Sequence, residues 1–216
     1  MIVVIASAAD AAAASLVRHR LRNCRLLTPP DLSTPHWICE WSRPSAHRAY
    51  ANGNRFRSSE VRGVLSLLPA VTPGELPHIA SDDREYVAAE MHAFLYFWLQ
   101  ELRCPVLNRP RDGALNGPPW SLARWQWHAL QEGLQIHRGG PAQHTESAAV
   151  VGDRVFAPGL PLDVQEGVRR LARRADVSLL TAVFANGAFV GAHPMPALAD
   201  ERVADAVAQL LMVGPA

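Results

Sequence analysis

The sequence predicts an α/β lobe followed by a smaller α+β lobe, and three observations carry that prediction. A β-branched run, Ile2 to Ser7, leads into an Ala-rich stretch from Asp10 to Arg22, the strand-then-helix opening of a layered α/β unit. A connector containing three Pro and two Gly runs from Asn108 to Pro119. Beyond it, strand-forming runs flank Gly152-Asp153 and Asn186-Gly187, dipeptides with hairpin turn chemistry. The boundary is placed near residue 117, giving lobes 1–117 and 118–216.

Ile2 to Ser7 shows little alternation, as expected of a strand covered on both faces. The helix after it ends in basic residues that suit its C-terminal dipole. Cys24 to Leu27 reads as a second strand, stopped by Pro29-Pro30, and Trp37 to Trp41 with Arg48 to Asn52 as a hairpin-like insert. Val61 to Pro69 is the next strand, with Pro73 and Pro77 in the loop that follows. Ser81 is read as the N-cap of the best helix, whose Met91, Leu95, Trp98 and Leu102 recur at helical spacing and form a core stripe. Cys104 to Leu107 is a short strand before the connector.

In the second lobe, Trp120 to Glu132 is a helix closed by Gly133, Leu134 to His137 a strand, and Gly139-Gly140-Pro141 a break. Ala148 to Phe156 is a hairpin and Pro161 to Arg174 a helix with a basic end. Val177 to Phe184 and Ala188 to Ala192 are strands, and Ala199 to Met212 closes the chain as a helix.

With 216 residues and 49% hydrophobic content, the chain has enough apolar material for a packed core. It contains no Lys, so all 21 basic side chains are Arg, against 20 acids for a net charge of +1. A Lys nucleophile, a Schiff base or an ammonium on a phosphate is therefore excluded, because Arg stays protonated and offers a planar fork in place of a point charge. Cys24, Cys39 and Cys104 lie far apart and form no CxxC pair, which argues against a disulfide framework or zinc ribbon. The first residues are apolar but short and lack a basic n-region, so they read as a buried strand and not a signal peptide. No apolar run approaches the roughly 20 residues of a membrane span. A soluble cytoplasmic protein without a membrane partner is expected. Arg169-Arg170, Arg173-Arg174 and the cluster Arg18, Arg20, Arg22 and Arg25 read as solvated faces, since the net charge is near zero and no aromatics interleave; no nucleic-acid partner is expected.

Glu90 and His92 flank the apolar stripe, and with His128, His137, His144 and His193 they invite a metal site. Their spacing matches no HExxH-type pattern, so no metal is expected. Cys104, before Pro105 on a buried strand, is read as inert core, and for Cys39 with His36 the sequence supplies no orienting acid for a nucleophile. The aromatics Trp37, Trp41, Tyr50, Trp120, Trp125 and Trp127 carry more information. Trp125 and Trp127 point to different faces of one helix, so both are buried only if something packs on each side. Trp120, Trp125 and Trp127 are therefore assigned to a partner interface.

Three segments, in this order, resemble the ATP-grasp superfamily, in particular its peptide-modifying branch with a pre-ATP-grasp domain. The first is Asp83-Arg84-Glu85-Tyr86-Val87-Ala88-Ala89-Glu90 continuing to Trp98-Leu99 and Cys104-Pro105-Val106-Leu107-Asn108-Arg109-Pro110. The second is Ser121 to Leu134, similar to the helix that leads into the nucleotide-binding region. The third pairs Val151-Gly152-Asp153-Arg154-Val155-Phe156 with Phe189-Val190-Gly191-Ala192-His193-Pro194-Met195-Pro196, similar to the family's C-terminal hairpin and metal-binding strand. The resemblance implies a pre-ATP-grasp-like α/β lobe and a reduced ATP-grasp-like α+β lobe.

The departures also carry information. The family's strand ends in a pattern like Glu-x-Asn-Pro whose oxygens hold magnesium; here the matching positions are Gly191 and His193. No Asp or Glu occurs from Val177 to Ala199, and only Gln135 to Val150 stands where the family has a subdomain closing over ATP with two lysines. Acyl-phosphate formation needs metal and cations on the γ-phosphate, so neither ATP nor magnesium is expected as a cofactor. Two readings remain. One is a non-catalytic accessory protein that binds a protein or peptide in peptide natural-product maturation and forms a homo-oligomer. The other is an enzyme of altered mechanism, or a minimal carboxylate-amine ligase, using Glu90, His92 or His193 in the interlobe cleft, with Arg109 and Arg124 binding a carboxylate or phosphate by bidentate forks.

Overall fold

The structure, a computed structural model, describes residues 1–40, 47–139 and 144–213. The parts of the expected insert and break that involve Trp41, Gly140 and Pro141 lie outside these residues. β1 (Ile2–Ile5) is buried along its whole length, which accounts for its unbroken apolar run. Asp10 caps α1 (Ala11–His19), its carboxylate accepting from the Ala13 amide at 2.9 Å. β2 (Cys24–Leu27) follows, and Pro29-Pro30 does more than stop it: the pair opens the one-turn α2 (Pro29–Leu32), with Asp31 accepting from the Thr28 amide.

The insert is a hairpin, but of other segments than expected. β3 (Arg48–Ala51) pairs antiparallel with β4 (Asn54–Arg57) across Asn52-Gly53, both at positive φ, whereas among the described residues the Trp37 segment contributes an isolated bridge from Ile38 to Arg48. Asn-Gly is the sequence signal for this two-residue turn. β5 (Gly63–Ser66) and β6 (Val106–Leu107) complete a parallel sheet of order β2-β1-β5-β6. The long α3 (Arg84–Glu101) begins at Asp83, two residues later than Ser81, because the Ser81 hydroxyl is turned to Asp82 instead of the helix amides. Its Leu95, Trp98 and Leu99 are fully enclosed, and the Trp98 indole donates to the Ser58 hydroxyl at 2.9 Å.

In the second lobe α4 (Leu122–Gln131) starts at Ser121, whose hydroxyl accepts from the Arg124 amide. The expected strand at Leu134 to His137 is reduced to a parallel bridge between Ile136 and Phe189. β7 (Thr145–Val151) and β8 (Arg154–Phe156) form the hairpin about Gly152-Asp153. After α5 (Leu162–Arg174), β9 (Leu179–Ala185) and β10 (Ala188–His193) turn at Asn186-Gly187, giving an antiparallel sheet of order β10-β9-β7-β8, and α6 (Glu201–Val213) ends the described chain.

Three apolar clusters arrange these elements as layers. Val3, Ile5 and Val64 face α3 and the β3–β4 hairpin. Ala148, Val150, Leu180 and Phe184 face α4 and α5. Between the two sheets lies the third cluster, in which Val4 and Leu65 meet Ala149 and Leu179 through α6 residues Val203, Val207 and Leu211. The apolar core is thus continuous across residue 117, and the C-terminal helix joins the two sheets. Among the described residues no helix is long and apolar enough to cross a membrane.

Candidate functional site

The connector from Asn108 to Pro119 lies where the two sheets meet, and three devices hold it. Asn108 is buried at φ 52°, a backbone conformation Asn tolerates better than most residues. Its Oδ1 accepts from the Leu179 amide at 2.9 Å, while Nδ2 donates to the carbonyls of Leu179 at 2.7 Å and Pro194 at 2.8 Å. Gly117, at φ 108°, runs so close to the second lobe that an added Cβ would meet Pro194 and Val177 at 3.2 and 3.3 Å. His92 holds the other side: its Nδ1 accepts from the Val71 amide at 3.3 Å, so its Nε2 carries the proton and donates to Gly113 at 2.8 Å.

Beside this seam opens a pocket of about 280 Å³ lined by Pro69, Pro118, Pro119 and Pro194, by Trp120, Trp125 and Met195, by Ala114 and Ala192, and by the polar Asn116 and His193. Its walls are fixed from behind. The Leu115 amide donates to Pro69 at 3.0 Å, and the Thr181 hydroxyl to Met195 at 2.6 Å, next to the Asn108 bond to Pro194. Just before α4, Trp120 is stacked on His128 with ring centres 4.4 Å apart, tilted on Trp125 at 4.6 Å, and covered by the Arg124 guanidinium at 4.8 Å. Burial, followed by the Arg174 and Arg124 charges, pushes the His128 imidazole below its ordinary value; burial alone does the same for His193.

The residues singled out from sequence are divided by the fold. His193, Trp120 and Trp125 meet at the pocket, with Arg124 over the Trp120 ring. Trp125 is buried, whereas Trp127 is 56% exposed on the outer face of α4 beside the exposed Leu122 and Leu130. Glu90 lies elsewhere, on a shallow groove of α3 with Trp37, Tyr86 and Phe94. Arg109 spends its fork on the end of α3: Nη1 donates to Leu99 and Gln100, and Nη2 to Leu102 and Cys104. It satisfies helix carbonyls at the negative end of the dipole. Asn108, Asn116, Pro194 and Met195 were not among the site candidates, although Asn108 stands within the segment that carries the resemblance. Burial raises all three thiols, Cys24 to about 11, which keeps them protonated and poor nucleophiles.

The end of β10 does not fit a magnesium ion. His193 offers an imidazole where a hard cation wants oxygen, and Gly191 faces α4 so closely that an added Cβ would lie 2.9 Å from Leu122 Cδ1. Among the described residues no three His, Cys, Asp or Glu side chains gather as a metal-binding group.

The sequence matches no family model and no curated protein. Solved structures do match. The macrocyclase MdnC from Microcystis aeruginosa MRC, bound with precursor peptide MdnA, superposes with a TM-score of 0.73 at 10% identity over 99% of each chain. The ATP-grasp ligase PsnB complexed with minimal precursor gives 0.71 at 12% identity over 98% of each chain. The RiPP-associated ATP-grasp ligase of Chryseobacterium gregarium, in complex with ADP and a leader and core peptide, gives 0.67 at 11% over 98% of this chain and 96% of that one. At such identities a match speaks for architecture alone, and the architecture of this chain is that of the RiPP-associated ATP-grasp ligases.

Proposed function

We propose that this protein binds a peptide in a peptide-maturation system and does not itself perform ATP-dependent ligation. The observation that carries the reading is the end of β10, where the fold's relatives would need oxygen ligands. Gly191 is packed under Leu122, His193 is an imidazole at the mouth of an apolar pocket, and no carboxylate occurs from Val177 to Ala199. The absence of Lys from the whole chain adds to this, since no ammonium is available for the phosphates of ATP. Three of the matched structures hold peptides, which supports a peptide as the partner here. The exposed Trp127 and Leu130 of α4 support a protein contact, self-association included.

An enzyme of altered mechanism would need its groups to converge. Glu90 lies on the α3 groove, the nitrogens of His92 are engaged by backbone, and the Arg109 fork is occupied by four carbonyls. His193 stands at the pocket without them. The test is incubation of the purified chain with ATP, magnesium and an acidic peptide, followed by chromatography for ADP and mass spectrometry for loss of water from the peptide. Peptide binding without either product is expected. ADP and dehydrated peptide above a no-protein control would overturn the reading.

A further inference from the structure

The junction pocket differs from a nucleotide cleft in size and lining. Its volume of about 280 Å³ lies just under the range of about 300–1,000 Å³ usual for pockets holding whole small molecules, and suits a single large side chain. Four of its lining residues are prolines, which have no N–H to offer an anionic group and whose rings keep fixed walls. Trp120, Trp125 and Met195 add aromatic rings and a polarisable thioether to the lining. The bonds behind Pro69, Pro194 and Met195 hold these walls without a ligand, so little ordering cost falls on an occupant.

The rim adds a charge. Arg124 is exposed, lies over the face of Trp120, and has no carboxylate among the described residues within ion-pair distance. Arg169, Arg170, Arg173, Arg174 and Arg202 of this lobe are paired with acids, and Arg154 donates to Gln209 and Ala206. A cation fixed beside an apolar pocket complements an anion beside an apolar anchor.

We propose that the junction pocket is the anchoring subsite for an aromatic side chain of the bound peptide, and that Arg124 receives an acidic residue adjacent to that anchor. The inference rests on the peptide-binding reading above and assigns it a site and a sequence preference. Neutral His193 at the mouth adds no competing positive charge.

The test is a titration followed by the indole N–H signals of Trp120, Trp125 and Trp127 in nitrogen–proton NMR spectra, assigned by single Trp→Phe variants. The probes are acetyl-Glu-Phe-Gly-amide and its Gln-Phe, Lys-Phe and Glu-Ala counterparts at millimolar concentration. The Glu-Phe peptide is expected to move the Trp120 and Trp125 signals, with about tenfold weaker binding when Phe becomes Ala. Replacing Glu by Gln is expected to weaken binding about two- to fivefold, as an exposed ion pair allows. Arg124→Glu, at an exposed helix position, is expected to reverse the order of the Glu-Phe and Lys-Phe peptides, and Ala114→Leu to weaken both by filling the pocket. Indifference to Phe against Ala, shifts confined to Trp127, or no shift with any probe would each overturn the assignment. Shifts confined to Trp127 would leave peptide binding standing, and ADP formation in the assay above would overturn only the claim that the chain performs no ligation.

Discussion

Two regions lie side by side where the sheets meet, built from the same connector and the same turn after β10, and they have opposite chemistry. At the seam, Asn108 uses its donors and acceptor on Leu179 and Pro194, so each polar atom has a partner. In the pocket next to it, prolines, tryptophans and Met195 predominate, with Asn116 and His193 as the polar members of the lining. A saturated polar seam fixes geometry because an unmade bond there is costly, and an apolar pocket held by such a seam stays ready for an occupant. The two arginines given one role by sequence follow the same division. Arg109 is consumed by the end of α3, while Arg124 stands over a tryptophan with its charge unpaired by any described carboxylate.

Breaking the seam is expected to have the largest effect. Asn108→Ala removes the side-chain partner of three backbone groups, two of them buried, and should cost about 3 kcal/mol in chemical denaturation. Gly191→Glu, which restores a family-like carboxylate, has to displace Leu122 and should cost about 1–3 kcal/mol by the same measurement. Arg109→Ala exposes the last carbonyls of α3 to water and should cost about 1–2 kcal/mol, read most clearly as faster amide exchange in the last turn of α3.

The pH dependence comes next. His128 and His193 titrate below the ordinary 6.5 in the folded chain, so as the pH falls the unfolded chain takes up these protons first. Their contribution is fully present above pH 6.5 and is lost as the pH drops through their folded values; His128→Gln should flatten that slope in denaturation midpoints measured across the acid range. The smallest effect is expected on the pocket's rim. Arg124→Ala should change stability by no more than about 0.5 kcal/mol, so that any loss of peptide binding is attributable to the charge itself.

Much of the fold was legible because its signals are local. The unbroken apolar run at Ile2, the helical stripe through Leu95 and Trp98, and the turns at Gly152-Asp153 and Asn186-Gly187 state their elements directly. Asn52-Gly53 was equally explicit, and the hairpin it makes was misplaced only because the aromatic Trp37 segment drew the pairing toward itself. The Leu134 segment meets β10 about Ile136, where Gln135 and His137 bond to Phe189, and this parallel contact is too short to extend as a strand, a property of the sheet edge and not of its own residues. The site was less legible. Residue type explains why Arg109 can hold a carboxylate, but only the return of the chain past α3 decides that it holds carbonyls instead. The pocket is contributed by residues from Pro69 to Met195, a separation no motif spans, and its walls are prolines that read along the sequence as breakers.

The proposal that this chain keeps the architecture of an ATP-grasp ligase without its nucleotide chemistry is tested most directly by calorimetric titration with magnesium and ATP. No saturable heat is expected, with the thermal unfolding midpoint unchanged by the nucleotide; saturable, magnesium-dependent binding of ATP would contradict the account.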